Sequence, residues 1–452
     1  MLLLKNCYHL VADAESKGQN GVDLLIEDHV IKRIARNITP PEGSRVIDAS
    51  RHVVIPGLVN THHHFYQTLT RNLPAVQNAR LFKWLVYLYE VWKNLDAEGI
   101  YWSTALAAAE LLKTGCTLTS DHHYLYPQGV SADIMGTQFS AAEMAGIRFS
   151  PCRGSMSLSK KDGGLPPDSV VQSEEVILDD SRRVIAQYHD PSPLSMRKVV
   201  LAPCSPFSVS EQSMRDTAAL AREYQVLLHT HLAETLDENR YCEREKGGRR
   251  PLQVMLDCDF AGPDVWYAHG IHFDDEELQV LKETGCHICH CPTSNMRLGS
   301  GICRVKEMAE MGINVALGVD GSASNDSSDM MGELRNALML QRVTKGADAL
   351  TARAVFRMGT ENGAKLLNFP LCGQLQEGWA ADIALFDVFK LEYAGSHSDP
   401  LAALIFSGFN HGSDYTIVNG KVVVQNGRLT GFDEEEIFRK AEAAAEELIK
   451  GV

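Results

Sequence analysis

Eight short apolar segments, each running into polar residues, punctuate the middle of this chain and leave few folds open to it. They read "VVIPGLVNTHHH", "GCTLTSDHH", "GIRFSPCRGS", "VVLAPCSPF", "VLLHTHLAE", "VWYAHG", "CHICHCP" and "INVALGVDGS". Amphipathic stretches such as "DAEGIYWSTALAAAELLKTG" and "SEQSMRDTAALAREY" alternate with them. Strand-then-helix units repeated eight times over roughly three hundred residues predict a (β/α)8 barrel.

Both ends of the chain have a different rhythm. Residues 1–52 alternate apolar runs with turn signals ("VDLLIEDHVIKRIA"), and so do residues 373–430. In "TIVNGKVVV" the pair Asn419-Gly420 marks a hairpin turn. The expected architecture is α/β: a distorted (β/α)8 barrel over 56–372, with a small β-sandwich domain built from both termini, 1–55 and 373–430. The remaining stretch, 431–452, reads as a solvated amphipathic helix.

Composition narrows the partners. The 452 residues carry a net charge of −15, and an acidic surface repels phosphate backbones. No nucleic-acid polymer and no membrane is therefore expected, and a small, weakly charged ligand is. No run approaches the ~18–20 apolar residues needed to cross a bilayer. The N-terminus "MLLLKNCYHLVADAESKGQ" has no basic region followed by a long apolar one, so no export signal is evident. The 11 cysteines run from Cys7 to Cys372 without a paired framework. Reduced thiols in a cytoplasmic protein are expected.

A barrel of this kind carries its chemistry at the C-terminal ends of its strands. Those ends collect His62 and His64, His122 and His123, Arg153, Cys204, His229 and His231, His269, His290 and Asp320. In "THHH", His62 and His64 share one face of an extended chain and can converge on one ion, while His63 points away. "HTHLAE" adds a second such pair, His229 and His231, with Glu234 beyond it, and "GVDGS" adds Asp320. Three imidazoles and a carboxylate complete a site for one divalent metal, zinc or iron, and leave room for water. A binuclear centre would want a bridging group such as a modified lysine on the fourth strand. "VVLAPCSPF" offers none.

A bound divalent ion brings the pKa of water to near ~7, and hydrolysis then needs proton traffic. Glu234 is placed to move protons to a substrate nitrogen, Asp320 to touch the metal and take a proton, and His269 to polarise the carbon under attack. A flat polar base also needs a stacking wall and fixed donors and acceptors. Trp92 is the candidate wall, or else a core aromatic of its helix. Gln67 and Arg153 are candidate polar contacts. The run "SLSKKDGGLPPDS" is a lid or simply a long loop.

At these residues the sequence resembles the amidohydrolase superfamily, in the single-metal branch that holds base and nucleoside deaminases and the s-triazine hydrolases. The resemblance spans nearly the whole chain, from "PGLVNTHHH" to "GQLQEGWAADIALFD". It implies metal ligands at His62, His64, His231 and Asp320, with Glu234 and His269 catalytic. It also implies that His231 is the ligand and His229 lies one layer deeper.

More narrowly, "NTHHHFYQTLTR", "DHHYLYP", "RGSMSLSKKDGGLPP", "HTHLAETLDE" and "GVDGSASNDSSDM" look like the 8-oxoguanine deaminases. They are also similar to the hydroxydechloroatrazine ethylaminohydrolases. Relatives that deaminate S-adenosylhomocysteine carry histidine where this chain has Cys204, a departure that favours a free base. The resemblance therefore implies hydrolytic deamination of 8-oxoguanine to urate and ammonia. Another base (guanine, isocytosine, a pterin) or an alkylamino-triazine is the alternative substrate. The resemblance also implies a homo-oligomer. A barrel that had become a non-catalytic scaffold would have lost its ligands, and this chain keeps them.

The most conspicuous metal-like run, "GCHICHCPTSN", is not the expected site. On a strand His287, Cys289 and Cys291 face one way, and Cys286 and His290 face the other, so the five cannot converge. It reads as the seventh barrel strand, with packed thiols and with His290, Ser294 and Asn295 at the pocket rim.

Overall fold

A computed structural model describes residues 1–130, 133–407 and 412–450. Eight parallel strands form its centre: Leu58–Asn60, Cys116–His123, Arg148–Ser155, Val200–Pro203, Leu227–Leu232, Val265–His269, His287–His290 and Val315–Leu317. All eight coincide with the predicted segments. The sheet closes on itself where Thr61 N–H donates to Leu317 O at 3.0 Å and Asp320 N–H to His62 O at 3.0 Å. Its interior is packed with small and branched side chains such as Val59, Leu118, Cys152, Val200 and Cys289 around Trp266, as barrel cores are. The thiols of the cysteine-rich seventh strand are thus packing.

The first predicted segment divides in two. "HVVIP" (His52–Pro56) pairs antiparallel with Ile383–Asp387 outside the barrel, and the chain turns at Gly57 before Leu58–Asn60 joins it. The two terminal regions make two flanking sheets. One holds Leu2–Cys7, Val22–Glu27, Val30–Ala35 and Arg45–Asp48; the other holds His9–Leu10, His52–Pro56, Ile383–Asp387, Tyr415–Val418, Lys421–Gln425 and Arg428–Leu429. Leu4, Leu24, Ile26, Val54, Ile383 and Ile417 share one apolar layer between them, the sandwich arrangement.

The hairpin turn at Asn419-Gly420 is present, with both residues at positive φ (50° and 76°). The C-terminal helix, Glu434–Ile449, is less solvated than its sequence suggests. It buries Ile437, Ala441 and Leu448, packs on the helix Ala97–Lys113, and accepts an ion pair from Lys113 to Glu434 at 2.6 Å. Among the described residues no helix is long and apolar enough to cross a membrane.

Candidate metal centre and active site

The strand ends converge on a cluster of imidazoles whose tautomers are set from behind. His229 meets the carbonyl of Trp266 through Nδ1 at 3.0 Å, so that nitrogen carries the proton and Nε2 is an acceptor. His62 Nδ1 lies 2.8 Å from His229 Nε2 and donates to it, which leaves His62 Nε2 with a lone pair. His64 Nδ1 donates to His122 O at 2.8 Å, and His231 Nδ1 to Cys204 O at 2.6 Å. All three therefore turn an unprotonated Nε2 inward. This is how second partners commonly orient metal-bound histidines.

The inward atoms are close. His64 Nε2 and His231 Nε2 are 3.0 Å apart, and Asp320 Oδ1 lies 3.4 Å from the Nε2 of both His62 and His64. His62 Nε2 is buried without a hydrogen-bond partner in the protein. Lone pairs facing one another at such distances repel unless a cation lies among them, and three neutral imidazoles with a carboxylate form a donor set suited to a divalent ion. Burial pushes the titration of His62, His64 and His231 down, which keeps their nitrogens free to ligate. Burial also pushes the Asp320 carboxyl up, but the adjacent His62 imidazole first, and then those of His269 and His64, outweigh it and hold the group well below the usual range. Its orientation is fixed by the Ser294 hydroxyl, which donates to Oδ2 at 2.6 Å, and by the Gly321 N–H, which donates to Oδ1 at 2.7 Å. His62, His64 and Asp320 lie close enough together to hold a metal ion, as do His62, His231 and His269.

Glu234 and His269 stand beside it. Their nearest atoms, Oε2 and Nε2, are 3.5 Å apart. Asn295 Nδ2 lies 2.9 Å from His269 Nδ1 and donates to it, so the His269 proton sits on Nε2, toward Glu234 and the cleft. Burial lowers His269 to about 4 and it is neutral near pH 7. The Ser300 hydroxyl donates to Glu234 Oε1 at 3.1 Å. Burial first, and the negative charge of Asp320 second, push the Glu234 carboxyl well above its ordinary range. A carboxyl raised in this way is suited to carrying a proton.

These groups open into a narrow cleft. Gln67 lines it from the short helix Phe65–Thr70, with Oε1 buried and without a protein partner. Gly321 makes room for that amide, since a Cβ there would stand 1.9 Å from Gln67 Oε1. Cys204, Tyr124 and Ser324 contribute further polar edges, and Leu81, Trp84, Leu85, Phe207 and Leu298 form the apolar wall. Among the described residues no lysine or arginine lines the cleft.

Three expected contacts do not reach it. Trp92 is fully buried in the same helix as Trp84, about two turns further on, and its indole N–H donates to Thr70 Oγ1 at 3.0 Å. The tryptophan on the wall is Trp84. Arg153 faces the helix layer, pairing with Asp180 at 2.9 Å and Gln172 at 2.9 Å and stacking 4.0 Å over the Tyr126 ring. His290 is buried, with neither ring nitrogen partnered, and does not line the cleft. Ser294 and Asn295, from the same run, are tied to Asp320 and His269. The 157–169 loop is anchored by Ser157 and Leu158 to Ser208 O, each at 3.0 Å, and its Gly163 carbonyl accepts the Tyr241 hydroxyl at 3.0 Å.

Residues 53–423 match the model of the Amidohydrolase family. The chain belongs to that family. This amidohydrolase is 46% identical to the 8-oxoguanine deaminase of Pseudomonas aeruginosa over 96% of its own length and 97% of that protein's. It is 36% identical to the hydroxydechloroatrazine ethylaminohydrolase of Pseudomonas sp. strain ADP, over 96% and 92% of the two chains. The crystal structure of atrazine chlorohydrolase TrzN from Arthrobacter aurescens TC1 complexed with zinc superposes with a TM-score of 0.93 at 29% identity, covering 98% of this chain and 100% of that one. The amidohydrolase is a hydrolase acting on C–N bonds.

Proposed function

We propose that this amidohydrolase removes the exocyclic amine from a free, flat heterocyclic base, 8-oxoguanine in the first instance, releasing urate and ammonia. One observation carries the reading: a small cleft without cationic side chains, in which a buried amide, Gln67 Oε1, waits for an N–H donor beside the Glu234–His269 pair. A base edge supplies that donor, and the absence of lysine or arginine from the lining disfavours phosphorylated substrates. The overall similarity to an 8-oxoguanine deaminase supports the choice of base.

We assign His62, His64, His231 and Asp320 as ligands of one divalent ion, zinc before iron. When bound, that ion supplies Lewis acidity and brings the pKa of water toward ~7. The chain does the rest. His269, held with its proton on Nε2, donates to the oxygen that adds to the carbon under attack. Glu234 takes a proton from the water and delivers it to the ring nitrogen. Asp320, anchored by Ser294, accepts the second proton and returns it to the departing ammonia. Water adds to the carbon bearing the amine and ammonia leaves, so atoms balance.

The apolar wall of Leu81, Leu85, Phe207 and Leu298 favours a second reading, removal of an alkylamine from a triazine. Parallel kinetics on 8-oxoguanine, guanine, isoxanthopterin and hydroxyatrazine decide between them. The highest kcat/KM is expected on 8-oxoguanine, and a clearly better rate on any of the other three overturns the assignment. Metal analysis is expected to find about one ion per chain.

A further inference from the structure

The run "TLDE", Thr235 to Glu238, opens the helix Leu236–Glu245 and has the form of a capping box. In that motif the glutamate reaches back to the N–H of the capping residue, and the threonine hydroxyl caps the helix in return. Neither bond is made here. The Thr235 hydroxyl is buried with no partner in the protein. Glu238 reaches further back: its Oε1 accepts the Ala233 N–H at 3.1 Å and its Oε2 accepts the Glu234 N–H at 2.9 Å.

Those two N–H groups belong to an unusual turn. Ala233 sits at φ 53°, in the left-handed region that residues with a Cβ rarely enter. Its carbonyl is pinned as well, accepting the N–H of Ile271 and of His272, each at 2.9 Å, from the turn that follows His269. His269 itself has φ 73°. The strained peptide that swings Glu234 out of its strand is thus clamped at one end by Glu238 and at the other by the turn carrying His269. Glu238 is 0% exposed and touches neither the cleft nor the metal cluster. Burial lifts its carboxyl to about 7, against the pull of the two N–H groups.

We propose that Glu238 is a positioning residue: by accepting both main-chain N–H groups at Ala233 and Glu234, it aims the Glu234 carboxyl at the bond being hydrolysed. The proposal rests on the role assigned above to Glu234. Glutamine cannot replace it, because its amide presents one acceptor and one donor to two donors. Glu238→Gln is expected to lower kcat by about 10- to 100-fold, the usual loss when an outer partner of a working group is removed, with KM within about twofold.

The test is a cycle of Glu234→Gln, Glu238→Gln and the double variant, each in the metal-loaded enzyme. It is run on whichever of the four bases turns over fastest, with melting temperature and metal content recorded. If Glu238 acts through Glu234, the double variant has the kcat of Glu234→Gln alone. Additive losses, or an unchanged kcat in Glu238→Gln, overturn the proposal. Should Glu234→Gln itself turn over normally, the role of Glu234 falls and this proposal with it. A defect in Glu238→Gln alongside a defective Glu234→Gln tests positioning separately. Should Glu238→Gln fail to fold, Glu238→Asp keeps both acceptors on a shorter arm. A kcat loss confined to the Glu234-containing background is again expected, and an equal loss in both backgrounds is the overturning result.

Discussion

Each imidazole of the centre is oriented through the nitrogen that faces away from the cleft, so single residues behind the cluster decide what it can bind. Glu234 and His269 are set the same way, by Ser300 and Asn295. Glu234→Gln keeps shape and volume but cannot carry the proton. Its kcat is expected to fall by about 10²- to 10⁴-fold while metal content and circular dichroism stay unchanged. Steady-state absorbance assays with metal analysis check this. That His62, His64, Asp320 and Glu234 come together was legible in the sequence because they lie at barrel strand ends, which meet at one rim. His229 and His231 were not separable by spacing, since positions two apart share a face. Depth along the strand separates them: His229 donates to Trp266 O inside the barrel, and His231 donates to Cys204 O at the rim. Trp92 was misplaced because it lies on the same helical stripe as Trp84, and only the position of the cleft tells them apart. Trp84→Ala is expected to raise KM at least severalfold, whereas Trp92→Phe is expected to leave KM unchanged and lower the melting temperature. Steady-state kinetics and thermal melts distinguish the two.

At the scale of elements, local signals worked where backbone geometry allows few solutions. The Asn419-Gly420 hairpin is one such place. Gly420 has φ 76°, and a Cβ would stand 1.8 Å from Asp28 O in the neighbouring sheet. Gly420→Ala is expected to destabilise the protein by more than about 1 kcal/mol, from the dihedral and the clash together. A shift in the urea midpoint measures it, and a change within about 0.3 kcal/mol contradicts it. Local signals failed where a distant partner took over a familiar motif. "TLDE" carries a capping-box pattern, yet its glutamate serves the preceding turn. "VVIPGLVN" reads as one strand, yet its halves join different sheets, because Ile383–Asp387 captures His52–Pro56.

At the scale of the molecule, the barrel's buried histidines make stability depend on protons. His123 and His290 are buried, and burial lowers each from the ordinary 6.5 to about 3. Between those limits the unfolded chain binds more protons than the folded one, so stability is complete above pH 6.5 and is lost as pH falls toward 3. Each contributes a slope of up to about 1.4 kcal/mol per pH unit. His290→Leu removes an imidazole with no partner on either nitrogen and is expected to flatten that slope, as read from urea midpoints at pH 7.5, 6 and 5. Chelation is expected to abolish turnover and lower the melting temperature, and added zinc to restore both. An ion at 100-fold its dissociation constant contributes about 2.7 kcal/mol.

The eight apolar segments, the β-rich ends and the positions of the strand-end histidines and carboxylates followed from the chain alone, because strand period, turn chemistry and barrel polarity are local or topological rules. The tertiary structure alone decided which strand-end groups share a cavity and which face the helix layer. It placed Trp84 rather than Trp92 on the wall, sent Arg153 outward to Asp180, and turned Glu238 toward Glu234. Those outcomes depend on contacts between residues far apart in the chain or on depth within a packed layer. No window of sequence carries that depth.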